Sequence, residues 1–254
     1  MPVRVYLTGR VRVVRAGALI DERDLPARQG RILFAYLLCH RQRPMTRAEL
    51  ADALWPRSLP DAWESSLNAL VSKIRGILKR VDPESPWTLG SAFGAYVLRV
   101  SDDAWIDREA AAEAIDQAES LVRTDRWREA WAPSNIAAIT ARQPFLAGDE
   151  GEWIDAERAR LRTILVRALD CLAEIWLRNG EPSLALGAAR EAVGLEPFRE
   201  SGHRRLMRVH GALGDRAEAV RVFEDLRRLL ADELDADPSS ETRDVYESVL
   251  GRPG

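Results

Sequence analysis

The sequence predicts a mainly α protein with a small β component: an N-terminal winged helix-turn-helix over residues 1–100, then a tetratricopeptide-like (TPR-like) all-α domain over residues 101–254. Three observations carry that reading. A long amphipathic segment, Asp61 to Arg80, has one apolar side and one polar side poor in acids. Runs of β-branched residues precede it, and a strand–turn–strand pattern follows it. In the second half the strand signal fades, and a 34-residue spacing links Gly180 to Gly214. At 254 residues, 46% of them hydrophobic and 30% charged, the chain can build the cores of two ordinary globular domains.

Val3–Leu7 and Val11–Val14 read as strands around the turn Thr8-Gly9-Arg10, and Ala18–Asp21 extends the sheet. Ala27–His40, with Ile32, Leu33, Tyr36, Leu37 and Leu38, reads as a first helix ended by Arg43-Pro44. In TRAELADALWP, Thr46 and Glu49 stand at capping-box spacing, Leu50 and Leu54 face inward, and Pro56 ends the second helix. Asp61 and Glu64 then open the long helix. At 100° per residue Leu67, Leu70, Val71, Ile74 and Leu78 share one side, while Ser65, Asn68, Ser72, Arg75 and Lys79 share another. Amide, hydroxyl, guanidinium and ammonium groups are the donors and acceptors that meet phosphates and base edges. Taken alone, the helix would be an ordinary one with a solvated basic face. A preceding short helix and loop make it the second member of a helix-turn-helix, and the hairpin Trp87–Leu89 and Tyr96–Val100 supplies a wing. Charge supports this division. Residues 1–100 hold 16 Lys and Arg against 9 Asp and Glu, a balance of +7, whereas the remainder holds 21 against 31, or −10.

The second half is rich in Ala, Leu, Glu and Arg. Gly180 and Gly214 are each followed five residues later by an alanine, Ala185 and Ala219, and Asp125 and Ala130 repeat the offset in a degraded copy. A turn followed by a small residue suits two antiparallel helices that approach closely, which is the tetratricopeptide pattern.

Particular motifs resemble a known family. LVSKIRGILKR, LWP and GAYVL resemble the recognition helix, second-helix end and wing of the Streptomyces antibiotic regulatory proteins, whose winged helix is of the OmpR type. Trp153, Glu157, Arg158 and Leu161, then Pro197, Arg199 and Glu200, Leu206 and Met207, and LRRLLADELDADPS resemble the bacterial transcriptional activator domain that follows it. The resemblance covers nearly the whole chain. It implies a DNA-binding transcriptional activator of a secondary-metabolite gene cluster. Such a protein would bind direct repeats in promoter DNA as a homodimer and recruit RNA polymerase. Asn68, Ser72 and Arg75 are expected at or near base edges, with Ser65, Lys73, Lys79 and Arg80 at phosphates. Gly76 stands where the family has Arg, and the wing has no basic residue before Arg99, so Arg99 alone is its candidate phosphate contact. Both departures predict a weaker grip or more reliance on a second subunit. The competing readings are a TPR-type interaction scaffold and a ligand-responsive regulator, each with a degenerate winged helix.

Catalysis finds little support. The only lysines, Lys73 and Lys79, are followed by Ile and Arg, so neither closes a G-x-x-x-x-G-K-[ST] phosphate loop, and no G-x-S-x-G appears. A short form with no ATPase module and no receiver domain ahead of the first strand is therefore expected. His40 sits at a helix end, where a cation is favoured. His203 and His210 lack a third metal ligand at suitable spacing, so packing roles are expected and no cofactor is implied. Asp149 and Glu150 read as a solvated acidic turn, and the eight tryptophans as helix-packing anchors. Cys39 and Cys171 read as buried thiols of a cytoplasmic protein, with no secretion signal or membrane-length apolar run.

Overall fold

The structure, a computed structural model, describes residues 3–15, 18–81 and 87–251. Two compact units are present, Met1–Ala110 with Gln143–Arg160 and Ala111–Arg142 with Leu161–Gly254. In the first unit, β1 (Arg4–Tyr6), β2 (Arg12–Arg15), β3 (Ala18–Ile20) and the later β7 (Trp105–Ile106) form a sheet of order β3-β2-β1-β7. Alternation explains it. Val3, Val5, Leu7, Val11 and Val13 are buried while Arg4 and Arg12 are exposed, as a half-buried sheet requires.

Helix α1 (Ala27–Cys39) follows, buried along Ile32–Leu38. Then come β4 (Met45–Thr46), α2 (Arg47–Leu54), α3 (Trp63–Val81), β5 (Thr88–Ala92) and β6 (Ala95–Arg99). Strands β4, β6 and β5 form a second sheet in that order, with Met45 opposite Tyr96. The capping box at α2 is complete: Thr46 Oγ1 accepts the Glu49 N–H at 3.2 Å, and the Glu49 carboxylate accepts the Thr46 N–H at 2.7 Å. Helix α3 begins at Trp63, two residues later than Asp61. Its first amide donates to the Pro60 carbonyl at 3.0 Å, which leaves Asp61 in the preceding turn.

Two carboxylates tie distant segments into this unit. Asp107, at the start of α4 (Asp107–Arg123), is 2% exposed. It accepts the Leu7 and Thr8 amides at 3.0 and 2.9 Å and the Thr8 hydroxyl at 2.7 Å, closing the end of β1. Asp149 corrects the solvated-turn expectation, because it too is 2% exposed. Arg28 and Arg31, one turn apart on α1, reach it at 2.6 and 2.5 Å, so its charge is neutralised from two sides. Its Glu150 neighbour is exposed and pairs with Arg57.

The second unit is helical among the described residues, and its turns show the repeat. Helix α4 is followed by α5 (Trp127–Ala141), α6 (Glu152–Arg178), α7 (Pro182–Leu195), α8 (Glu200–Ala212), α9 (Arg216–Leu234) and α10 (Ser240–Leu250). Asp125, Gly180 and Gly214 take φ of 60°, 76° and 76°. In each turn the next amide closes back five residues at 2.9 Å: Arg126 to Leu121, Glu181 to Trp176, and Asp215 to His210. These are three copies of one left-handed helix stop. The alanines five residues on, Ala130, Ala185 and Ala219, are all buried, as close helix approach requires. Ala173, Ala185, Ala189, Leu206 and Val209 knit α6, α7 and α8 together, and Met207, Ala219 and Phe223 continue the core.

Two stability outcomes follow. Gly214→Ala meets no atom within 4 Å of the new Cβ, so its cost is backbone strain alone, about 1 kcal/mol in urea unfolding. Asp149→Ala leaves two arginines facing an emptied buried site and costs about 3–5 kcal/mol, read as a loss of unfolding free energy against Glu150→Ala, whose exposed pair is worth less than about 1 kcal/mol.

Candidate nucleic-acid interface

Helix α3 buries Leu67, Val71, Ile74, Ile77, Leu78 and Val81, and leaves Leu70 half-buried. The opposite flank is then forced outward. Ser65, Asn68, Ser72, Lys73, Lys79 and Arg80 are exposed, and the sole acid within α3 is Glu64, in its first turn. Local bonds already engage several of them. Ser65 Oγ donates to the Ala62 carbonyl at 2.9 Å, and Arg80 stands 3.7 Å from Asp24 in an open ion pair. Asn68 Oδ1 accepts from Arg47 at 3.2 Å, and the Arg47 guanidinium lies 6.0 Å from the Trp63 ring centre. Arg47 was missed at the sequence level. It lies 21 residues from Asn68 on another helix, where periodicity carries no signal.

Arg75 departs from its expected place. It is half-buried, with Nε donating to the Leu89 carbonyl at 2.8 Å and a terminal nitrogen 3.4 Å from Ser91 Oγ. Its side chain leans across to β5 and ties the hairpin to α3 through a charge-assisted bond to the Leu89 carbonyl. Arg99 is exposed on β6 opposite Thr88, and Gly76 is exposed with open space around it.

Among the described residues no group of three or more His, Cys, Asp or Glu is placed to hold a metal ion. Burial pushes the Cys39 thiol up to about 12 and the Cys171 thiol up to about 11, so neither is a nucleophile at neutral pH. Burial also lowers His40, His203 and His210 below their ordinary value. His40 takes a packing place, as expected of the histidines, its ring stacked on Tyr36 at 4.1 Å. His203 Nε2 lies 2.8 Å from the Pro197 carbonyl. No helix among the described residues is long and apolar enough to cross a membrane.

Comparison with known proteins adds the family context. The model of the bacterial transcriptional activator domain matches residues 106–250. Regulatory protein AfsR of Streptomyces coelicolor is 28% identical over 248 residues, covering 98% of this chain and 24% of its own length. Transcriptional regulator RedD of the same organism is 25% identical over 225 residues, covering 87% of this chain and 64% of itself. This chain therefore spans about a quarter of the length of AfsR. A solved structure of Mycobacterium tuberculosis EmbR in complex with a low affinity phosphopeptide superposes with a TM-score of 0.83 at 21% identity, over 99% of this chain and 66% of that one. At that identity the likeness speaks for the fold. AfsR is named a regulatory protein and RedD a transcriptional regulator.

The lowered histidines set a pH dependence. As pH falls through the ordinary value of 6.5, the unfolded chain binds protons that the folded chain refuses, so stability present above that pH is lost below it. Thermal midpoints measured from pH 8 to pH 5 fall below about 6.5, and the double variant His203→Gln, His210→Gln falls less steeply.

Proposed function

This chain belongs to the bacterial transcriptional activator domain family, and from that premise we propose that it is a sequence-specific, DNA-binding activator of transcription. In this reading residues 1–100 are a winged-helix DNA-binding domain of the OmpR type and residues 101–254 its regulatory helical partner. The observation that carries it is the outward flank of α3, acid-free beyond its first turn, with its opposite flank clamped in the core. Asn68 and Ser72 approach base edges in the major groove, where an amide suits adenine. Ser65, Lys73, Lys79 and Arg80 meet phosphates, and Arg99 meets them from the hairpin. Arg75 uses two of its five N–H donors on the hairpin and keeps the rest for the duplex.

The resemblance of LVSKIRGILKR, LWP and GAYVL to the Streptomyces antibiotic regulatory proteins carries the wider proposal: activation of a secondary-metabolite gene cluster in the cytoplasm, through direct repeats bound by a pair of copies that recruits RNA polymerase. The negative balance of residues 101–254 keeps that half off the duplex and suits a protein contact instead.

Titration of the chain against its own upstream DNA at two salt concentrations tests the proposal. Affinity falls with salt, and Lys79→Ala lowers the slope of log K against log salt by about one while weakening all sequences alike. Asn68→Ala costs about 1–3 kcal/mol and relaxes one base position. Binding that is absent, or indifferent to salt, leaves an interaction scaffold in place of a regulator that reads DNA.

A further inference from the structure

The hairpin that follows α3 ends in an arrangement its own stability does not explain. Ala92 pairs with Ala95, so the turn between β5 and β6 has only two central residues, Phe93 and Gly94, with φ of 51° and 75°. Positive φ at both is the type I′ geometry, in which Asn, Asp or Gly is favoured first. A bulky aromatic there is strained. Phe93 is also 108% exposed, the most exposed large apolar residue in the protein among those described. Behind it the hairpin is slender: Gly90, Ser91, Ala92 and Ala95 carry almost no side-chain bulk. The ring therefore stands alone at the apex of a narrow ribbon. The ribbon does not swing freely, since Arg75 on α3 is bonded to the Leu89 carbonyl and lies beside Ser91.

We propose that Phe93 is a nucleic-acid contact in its own right, an apolar wedge that the hairpin carries into the minor groove beside the major groove occupied by α3. The inference rests on the DNA-binding reading above. Minor-groove proteins insert apolar side chains of this kind at a base step, partly unstacking it and bending the duplex. A groove about 6 Å wide is too narrow for the two-stranded ribbon itself, so only its tip enters, and the small residues behind Phe93 leave the ring clear to do so. This also answers the missing wing cations. A hairpin without basic residues before Arg99 draws on removal of apolar surface from water instead of on phosphate charge.

The test uses the full chain and its upstream duplex. Phe93→Asn installs the Asn-Gly pair that such turns favour, so its thermal midpoint stays equal or rises, and lost binding is not a folding defect. The expected result is an affinity loss of about tenfold or more with the salt slope unchanged, because no charge is removed. Phe93→Leu, which keeps an apolar tip, retains most of the affinity. Wild-type affinity in Phe93→Asn, with the wild type binding normally, overturns the wedge and leaves the DNA reading standing. A changed salt slope in that variant overturns the wedge as well. Failure of the wild type to bind any duplex removes the DNA reading and the wedge together.

Discussion

Burial of one flank of α3 is the constraint from which the rest of the first unit takes its meaning. Leu67, Ile74 and Leu78 are fully buried, with Val71, Ile77 and Val81 beside them. Each such side chain contributes about 1.5–3 kcal/mol on leaving water. The exposed ion pair and hydrogen bonds on the other flank are worth less than about 1 kcal/mol each. Orientation is therefore decided by the apolar side. Turning the helix would also bury Lys73 and Lys79 without partners, which costs several kcal/mol per charge. Asn68 and Ser72 face outward because they have no alternative. The capacity to touch a duplex is a by-product of where the core holds the helix.

Segments far along the chain complete the same unit. Arg158 donates to the carbonyls of Phe145, Leu146 and Asp149 at 3.1, 2.8 and 2.9 Å, shaping the loop that presents the Asp149 carboxylate to α1. Trp153 packs edge-on against Tyr36 and Phe145, and buried Glu157 pairs with Arg108 at 2.8 Å. The Trp153, Glu157, Arg158 run thus has a physical reason: all three side chains are tied into the first unit, Trp153 and Arg158 meeting at Phe145 and Glu157 reaching Arg108. Gly9 joins in, its amide donating to the Pro144 carbonyl at 2.8 Å.

What was legible in the sequence was local. Runs of β-branched residues on either side of Thr8-Gly9-Arg10 located β1 and β2, and the spacing of Thr46 and Glu49 located a cap that forms as read. The Gly180 and Gly214 offsets, with Asp125 as a weaker copy, located three helix stops of identical geometry. Asp can hold such a position because its short polar side chain tolerates left-handed backbone, which is why the degraded copy still works. Long-range contacts were not legible. Asp149 meets Arg28 across 121 residues, Arg47 meets Asn68 across 21, and Arg75 meets Leu89 across 14. No periodic pattern encodes which charge will find which partner, so Asp149 read as solvated and Arg75 as free. Phe93 fell in the expected turn between the two strands, but the sequence alone did not show that its ring would stand fully exposed at the apex.

The central claim is that the outward flank of α3 meets DNA, and the protein carries its own internal standard for it. Asparagine occurs three times, as Asn68 on α3, Asn135 on α5 and Asn179 beyond α6. Each gives a distinct pair of side-chain amide signals in a nitrogen–proton NMR spectrum. On titration with the upstream duplex, the account predicts that the Asn68 pair moves while the Asn135 and Asn179 pairs stay in place. A duplex that binds yet leaves Asn68 unmoved, or shifts Asn135 or Asn179 in its stead, contradicts it.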